Sequence, residues 1–307
     1  MKKEIFSFIS SNAHDKVYAW KFLPKKEPVG VIHLIHGFGE HTQRFSCIIN
    51  YFNDSGFIVV ADDHIGHGVT GICNKNLGVA FPVSYLLYLD DEKKIYDIIQ
   101  NNYSTLPFFM YGHSWGALLI LMFLLKYQIK PTGIVLSGLL TQFHGCDEAL
   151  RSYDFMNECE QYPKHYAAAW IKKFFSYLNE RVLDSNNPIA WNAVDKNFIL
   201  KCCSDSLSPM IVNLGELFSV IQSYQYINSY TWLNSFPGTI PILIQAGSND
   251  PCCNYGKGIK QFISNVKTVN SNIRYHIYNG YRHSLYGESS IQSQIAREII
   301  SFYNDFL

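Results

Sequence analysis

The sequence predicts an α/β fold in which helices flank a mostly parallel β-sheet and a helical insertion interrupts the chain. Apolar runs of strand length alternate with helical segments over the first 140 residues, as in parallel sheets that are covered on both faces. This pattern stops after residue 140 and returns near residue 240. With 307 residues, of which 48% are hydrophobic and 16% charged, the chain can bury a core of that size.

The predicted elements follow one another along the chain. Residues 4–10 and 16–23 have strand-like spacing and predict a hairpin around residues 12–15. The next predicted elements are strands at 29–37, 57–62, 107–111 and 132–136, and helices at 44–53, 85–103 and 117–127. Strands at 241–247 and 273–278 and a helix at 291–306 complete the sheet domain after the insertion.

The insertion is predicted to be a helical cap. Residues 141–232 show no strand pattern and are rich in aromatic residues, which favours several short helices. We therefore assign residues 1–140 and 233–307 to the core and 141–232 to the cap. The aromatic side chains form either the core of a plain helical subdomain or, in a lid, the lining of an apolar channel for a ligand. Both interpretations stay open, because one insertion can do both.

Composition and charge exclude several function classes. Lys+Arg 25 balance Asp+Glu 25, whereas proteins that bind nucleic acid normally carry a basic excess, so we expect no nucleic-acid partner. The longest apolar stretch, 117–125, is about half of what spans a bilayer, and the apolar patch at 5–9 is too short for a secretory signal. None of the eight cysteines lies in a Cys-x-x-Cys pair, so we expect reduced thiols and a cytoplasmic protein.

The sequence Gly112-His113-Ser114-Trp115-Gly116 carries the clearest chemical signal. It lies between a predicted strand and a predicted helix, which is the setting in which Gly-x-Ser-x-Gly forms a nucleophile elbow. A serine on such a sharp turn has strained backbone angles, and glycines two residues to either side relieve the crowding. The sequence therefore predicts that Ser114 is a nucleophile and that the next amide points into its site.

A serine hydroxyl needs a base and an orienting acid before it can attack a carbonyl. Asp250 and His283 each lie just past the end of a predicted strand, at the sheet edge where active sites collect. Taken singly, an ordinary turn aspartate and a surface or capping histidine are the alternatives. The order serine, aspartate, histidine, with each residue after its own strand, predicts a catalytic triad of Ser114, Asp250 and His283.

Acyl transfer also needs hydrogen-bond donors for the developing oxyanion. His36-Gly37-Phe38-Gly39 follows the third predicted strand, where the second amide donor is usually placed. The backbone amides of Phe38 and Trp115 are therefore predicted to form the oxyanion hole. A glycine-rich turn with a structural histidine is the alternative.

These residues together resemble the monoacylglycerol lipase and lysophospholipase branch of the α/β-hydrolases, often grouped under a serine-aminopeptidase-like heading. The resemblance runs from about residue 29 to the end of the chain, with the insertion similar in position and length only. It rests on His36-Gly37-Phe38-Gly39-Glu40-His41, Asp63-His64-Ile65-Gly66-His67-Gly68, Gly112-His113-Ser114-Trp115-Gly116, Asp250 and His283. Trp115 departs from the branch, in which methionine usually follows the nucleophile.

The resemblance implies an α/β-hydrolase fold and a serine ester hydrolase that cleaves monoacylglycerols or lysophospholipids through an acyl-enzyme on Ser114. It also implies a small lipid ester as the partner, with transient membrane-surface contact through the cap. One alternative is an aminopeptidase, in which Glu158 and Glu160 of the cap hold the substrate amine, or another carboxylesterase or thioesterase. The other is a non-catalytic ligand-binding protein, which a degenerate triad would favour.

No cofactor and no metal are expected. His33, His36, His41, His64 and His67 form histidine-rich stretches, but no His-Glu-x-x-His helix is present and a serine nucleophile needs no metal. We therefore predict that these are structural histidines around the site.

Two cysteines follow the predicted triad aspartate. Cys253 lies three residues after Asp250, where monoacylglycerol lipases tend to carry a cysteine. Either this thiol is buried and inert under its loop, or it faces the acyl pocket and is reactive. The side chain of Cys252 is expected to point the opposite way.

Overall fold

An eight-stranded β-sheet forms the centre of the computed structural model, which describes residues 2–79, 85–183, 187–209 and 211–307. Its strands are β1 (Lys2–Ile9), β2 (Lys16–Leu23), β3 (Gly30–Ile35), β4 (Phe57–Asp63), β5 (Phe108–His113), β6 (Gly133–Ser137), β7 (Ile242–Gly247) and β8 (Ile273–Tyr278). They lie in the order β1-β2-β4-β3-β5-β6-β7-β8. The hairpin β1–β2 and its pairing to β4 are antiparallel, and the remaining pairs are parallel. The predicted mostly parallel sheet is confirmed.

Helices cover both faces of this sheet, which explains why every residue of β3 to β7 is buried. The helices are α1 (Ser46–Asp54), α2 (Gly68–Asn74), α3 (Tyr85–Tyr103), α4 (Trp115–Tyr127), α5 (His144–Arg151), α6 (Tyr153–Gln161), α7 (Ala168–Phe175), α8 (Lys196–Cys203), α9 (Leu214–Ile227), α10 (Tyr230–Ser235), α11 (Lys257–Val266) and α12 (Gln292–Asn304). One apolar core contains residues of α3, α4, α9 and α11, and a second contains residues of α1 and α12. No helix in the described ranges is long and apolar enough to cross a membrane.

The chain between β6 and β7 forms α5 to α10, and its described residues contain no strand beyond an isolated bridge between Tyr166 and Asn213. Some of its aromatic side chains are core, since Phe155 and Phe174 are fully buried and pack edge to face. The division at residues 141 and 232 stays a prediction. Residues 1, 80–84, 184–186 and 210, which fall within the predicted core and cap ranges, lie outside the described residues.

Two helices were not predicted from the sequence. α11 buries Ile259, Phe262, Ile263 and Val266, and this i, i+3, i+4, i+7 spacing is the helical signal that should have revealed it. α2 contains two glycines among its seven residues, which weakens the helical pattern because glycine disfavours helix interiors. Element existence elsewhere agrees with the prediction, and the ends differ by a few residues.

The first turn of α4 lies directly against the end of β3. A Cβ atom on Gly116 would overlap the carbonyl oxygen of Ile35 and lie 2.6 Å from that of His36. Only glycine permits two backbones to approach this closely. The contact brings the start of α4 beside the loop that follows β3.

We therefore expect Gly116→Ala to lower the free energy of unfolding by about 1–3 kcal/mol, because backbone rather than a side chain must move. Urea denaturation of the purified variant would measure the loss. Gly133→Ala is the matched control, since its nearest contact is the ring atom Cε1 of Phe302 at 3.3 Å. Equal losses in the two variants would contradict the close approach.

Candidate active site

Ser114 lies at the turn from β5 into α4 and has a strained backbone. Its φ of 55° and ψ of −120° are unusual for a residue with a side chain. The turn is held because the Ser114 amide donates to the carbonyl oxygen of Ser137, at 2.8 Å. A Cβ on Gly112 would lie 2.7 Å from the carbonyl oxygen of Gly116. This is the geometry that the elbow motif predicts.

The structure brings together the three residues of the predicted triad. The Ser114 hydroxyl lies 2.9 Å from Nε2 of His283, and Nδ1 of His283 lies 2.9 Å from Oδ2 of Asp250. Because a buried carboxylate accepts from Nδ1–H, Nε2 of the neutral ring is left to accept from the serine. The other oxygen of Asp250 accepts from the Cys252 amide at 2.8 Å. Ser114, Asp250 and His283 follow the carboxyl ends of the parallel strands β5, β7 and β8, respectively.

The environment of His283 changes its basicity. Burial alone lowers the pKa of the imidazole, but the charge of Asp250 and its hydrogen bond raise it by more, and Glu40 adds to this effect. The net pKa of His283 lies above its ordinary value of 6.5. The ring is therefore a stronger base than free histidine, and its cation is stabilised by a fixed carboxylate.

One amide in the loop after β3 has no hydrogen-bond partner among the described residues. The amide of Gly37 donates to Oε2 of Glu40 at 2.8 Å, and the amide of Gly39 donates to Nε2 of His67 at 3.1 Å. The amide of Phe38, between them, has no acceptor among the described residues. Trp115 is the first residue of α4, so its amide is one of those that a helix leaves unpaired. Neither of the two predicted oxyanion donors is thus paired within the part of the chain that the structure describes.

Glu40 lies at the centre of a buried polar network. Its Oε2 also lies 2.9 Å from Nδ1 of His113, and its Oε1 accepts from the hydroxyl of Tyr286 at 2.7 Å. Burial by itself raises the pKa of Glu40, but the charge of His113 and its hydrogen bond, with further help from Arg44 and Tyr286, lower it to about 2. Glu40 belongs to the motif His36-Gly37-Phe38-Gly39-Glu40-His41, but no local pattern in the sequence indicates its contacts with His113 and Tyr286.

Two histidines near the site, His36 and His67, are buried and hydrogen-bonded. His67 contacts the carbonyl oxygen of Ile65 through Nδ1 at 3.0 Å and accepts from Gly39 through Nε2, so its ring is neutral. Burial, reinforced by the charge of His64, lowers the pKa of His67 to about 3. His36 contacts the carbonyl oxygen of Gly37 at 2.8 Å and accepts from the amide of His64 at 3.0 Å.

The indole of Trp115 lies in the protein interior rather than in an open pocket. It is fully buried, and its Nε1 donates to the hydroxyl of Ser223 on α9 at 3.1 Å. Its ring packs edge to face on Tyr88, with centroids 4.6 Å apart, and more distantly on Phe38. The residue that departs from the family pattern therefore ties the elbow to α9.

Two groups of described residues place metal-type ligand atoms within 4.8 Å of one another. One consists of Asp250, Cys252 and His283, and so includes the triad pair. The other consists of the buried residues Asp62, His64 and Glu92, beside His33. Nε2 of His33 lies 2.6 Å from Oε2 of Glu92. Burial raises the pKa of Glu92 well above its ordinary value and lowers that of His33 to about 4, so it favours the neutral form of both groups.

Glu158 and Glu160, the carboxylates that would hold the substrate amine in an aminopeptidase, have different surroundings. Oε2 of Glu158 accepts from the indole of Trp170 at 2.7 Å, and its Oε1 lies 3.6 Å from Nδ1 of His165. Glu160 is exposed on α6. Neither observation points to a paired site for a substrate amine.

Comparison with known proteins identifies related chains. A family described as "Serine aminopeptidase, S33" matches residues 26–290. The chain is 31% identical to the monoacylglycerol lipase of Mycolicibacterium smegmatis over 121 residues, which are 39% of this chain and 41% of that protein. It therefore spans less than half the length of that relative. It is 25% identical to human monoglyceride lipase over 272 residues, 88% of this chain and 79% of that protein.

A solved structure shows the same architecture. A thermostable carboxyl esterase from Bacillus coagulans, in complex with glycerol, superposes with a TM-score of 0.94 at 28% identity, and the superposition covers 100% of this chain and 99% of that chain. This likeness confirms the predicted α/β-hydrolase fold class.

The thiols beside Asp250 are buried. Cys252 and Cys253 are at most 2% exposed, and Sγ of Cys253 lies 3.5 Å from the carbonyl oxygen of Asp250. Burial, with the nearby charge of Asp250, raises the pKa of both thiols well above the ordinary value. Because the thiolate is the reactive form, this environment makes them inert. Of the two interpretations of Cys253, the structure favours the buried one.

In the native protein we expect Ellman's reagent to react rapidly with Cys73 and Cys203, whose side chains are exposed, and to reach Cys252 and Cys253 only after unfolding. Replacing Cys73 and Cys203 by serine should remove the rapid phase, whereas Cys252→Ser should leave it unchanged. Mass spectrometry of peptides from the native reaction would locate the modified thiols. Rapid modification of the peptide that carries residues 252 and 253 would contradict this expectation.

Proposed function

The chain belongs to the serine aminopeptidase S33 family, and we propose that it is a serine ester hydrolase that cleaves lipid-type carboxylic esters, either monoacylglycerols or lysophospholipids. The observation that carries this proposal is the hydrogen-bonded row from Ser114 through His283 to Asp250, beside two free amides. Related proteins named monoacylglycerol lipase, monoglyceride lipase and carboxyl esterase support the ester class. In this proposal residues 1–140 and 233–307 form the hydrolase core, and 141–232 form the cap.

In the first half of the proposed reaction, Ser114 Oγ attacks the ester carbonyl carbon while Nε2 of His283 takes the hydroxyl proton. Asp250 accepts from Nδ1–H, which fixes the ring and stabilises the imidazolium that forms. The carbonyl oxygen becomes an oxyanion and accepts from the amides of Phe38 and Trp115. The tetrahedral intermediate then collapses, and the alcohol leaves with the proton from Nε2.

In the second half, water replaces the alcohol and attacks the acyl carbon of the ester on Ser114. His283 now takes a proton from the water and returns it to the serine oxygen as the carboxylic acid is released. The proposed steps use only the ester, water and groups of this chain. His283 therefore accepts a proton and then donates it in each half of the reaction, from serine to alcohol in the first and from water to serine in the second.

An ester is favoured over an amide substrate by the surroundings of the cap carboxylates. Glu158 is engaged with Trp170 and His165, so it is not free to hold a substrate amine. We further propose transient contact with a membrane surface through the cap. Tyr162, Tyr166 and Ile211 support this contact because they are large hydrophobic side chains exposed to solvent. They lie on two segments that the Tyr166–Asn213 bridge holds together. The cytoplasmic location inferred from the cysteines stays a prediction.

Ser114→Ala is expected to abolish ester hydrolysis and labelling by a fluorophosphonate, because the acyl-enzyme cannot form without the hydroxyl. Loss of a triad member typically lowers kcat by several orders of magnitude. The wild-type protein would be assayed against monoacylglycerols, lysophospholipids and aminoacyl amides in parallel. Near-full activity of Ser114→Ala would show that another residue is the nucleophile, and a preference for the amides would reverse the proposed substrate class.

The pH dependence of kcat/KM should follow His283, which must be neutral to accept the serine proton. Because its pKa lies above the ordinary value of 6.5, activity should fall as the pH decreases through a midpoint above that value. Asp250→Asn removes the charge that raises this pKa and favours the wrong tautomer, so its rate should drop by roughly 10⁴-fold. A wild-type midpoint well below 6.5 would contradict the assigned environment of the base.

A further inference from the structure

The loop that carries Phe38 is anchored on both sides. Oε2 of Glu40 accepts a hydrogen bond from the amide of Gly37 at 2.8 Å. On the other side, Nε2 of His67 accepts one from the amide of Gly39 at 3.1 Å. Each anchor occupies an amide that could otherwise turn toward the site. The amide of Phe38, between the two anchors, has no acceptor among the described residues.

Glu40 joins three segments that hold the reaction centre. It contacts Gly37 in the loop after β3, His113 directly before the nucleophile, and Tyr286 three residues after the base. The carboxylate is nearly fully buried, at 4% exposure. Space around it is tight, since a Cβ on Gly37 would lie 2.7 Å from Oε2 of Glu40 and 2.9 Å from Cβ of Ser114.

We propose that Glu40 is a positioning residue for the oxyanion hole, with His67 as its counterpart on the other side of Phe38. This inference rests on the proposed function, because an oxyanion hole matters only where an acyl group is transferred. Glu40 does not touch the substrate. It acts by holding the Gly37 amide, and thereby the orientation of the peptide that carries the Phe38 N–H.

The expected signature of losing Glu40 is a change in kcat rather than in KM. Without its acceptor the buried amide of Gly37 has no partner, so the loop turns to find one and carries the Phe38 N–H away from the oxyanion. The oxyanion exists only in the transition state, so the ground-state complex is affected little. Loss of one oxyanion donor lowers kcat by about 10²–10³-fold in enzymes of this chemistry.

Three variants separate positioning from general structural support. Glu40→Ala removes the acceptor, and kcat should fall by about 10²-fold or more with little change in KM. Glu40→Gln keeps a carbonyl oxygen that can accept from Gly37, so it should restore most of kcat. Tyr286→Phe is the matched control, because it removes a hydrogen bond to the same carboxylate without touching Gly37. It should lower the melting temperature while keeping kcat near the wild-type value.

A transition-state analogue gives a second readout. A trifluoromethyl ketone forms a hemiketal oxyanion with the serine, so its inhibition constant should rise in Glu40→Ala in parallel with the loss of kcat. A non-reactive substrate ether should bind the variant and the wild type alike. His67→Phe removes the acceptor for the Gly39 amide. We likewise expect it to raise the inhibition constant of the trifluoromethyl ketone and to leave binding of the ether unchanged.

The outcomes distinguish the two proposals. If the wild-type protein hydrolyses none of the esters, the proposed function fails. If it is active and Glu40→Ala keeps kcat, or if Glu40→Ala and Tyr286→Phe lose kcat equally, the positioning role is wrong. Failure of Glu40→Gln to recover activity while the melting temperature is restored would likewise overturn it.

Discussion

The close approach of two backbones, at the end of β3 and at the first turn of α4, is the constraint on which the site depends. A side chain at Gly116 would overlap the carbonyl oxygen of Ile35. Because the two segments touch, the amide of Trp115 and the loop with Phe38 lie beside the same serine. The strained angles of Ser114 are tolerated because the surrounding contacts fix the turn from both sides.

Glu40, Glu92 and His67, three buried titratable groups near the site, are each either paired or neutral. Glu40 stays ionised because His113, Arg44 and Tyr286 compensate for its burial, whereas Glu92 is driven toward its neutral form. His67 is kept neutral by burial, which preserves its lone pair as an acceptor for an amide. A buried ion without a partner would cost several kcal/mol, so the protein places its charge only where a hydrogen-bonded partner meets it.

Much of the fold, and the grouping of Ser114, Asp250 and His283 in space, could be predicted from sequence because the signals are local. Ser114, Asp250 and His283 each follow a strand whose apolar pattern is clear, and parallel strands bring such residues to one edge. The role of Glu40 could not be predicted this way, since its contact with Tyr286 joins residues 246 positions apart. The burial of Trp115 against Ser223 also depends on the packing of α9, which no local pattern reveals.

The anchoring of α9 restricts how the region between β6 and β7 can move. Ser223 receives the indole N–H of Trp115, and Glu216 receives the hydroxyl of Tyr88 and approaches His67. These contacts join α9 to the elbow, to α3 and to the turn after β4. A displacement of α9 would have to break these contacts together, so α9 is expected to move with the nucleophile turn rather than apart from it.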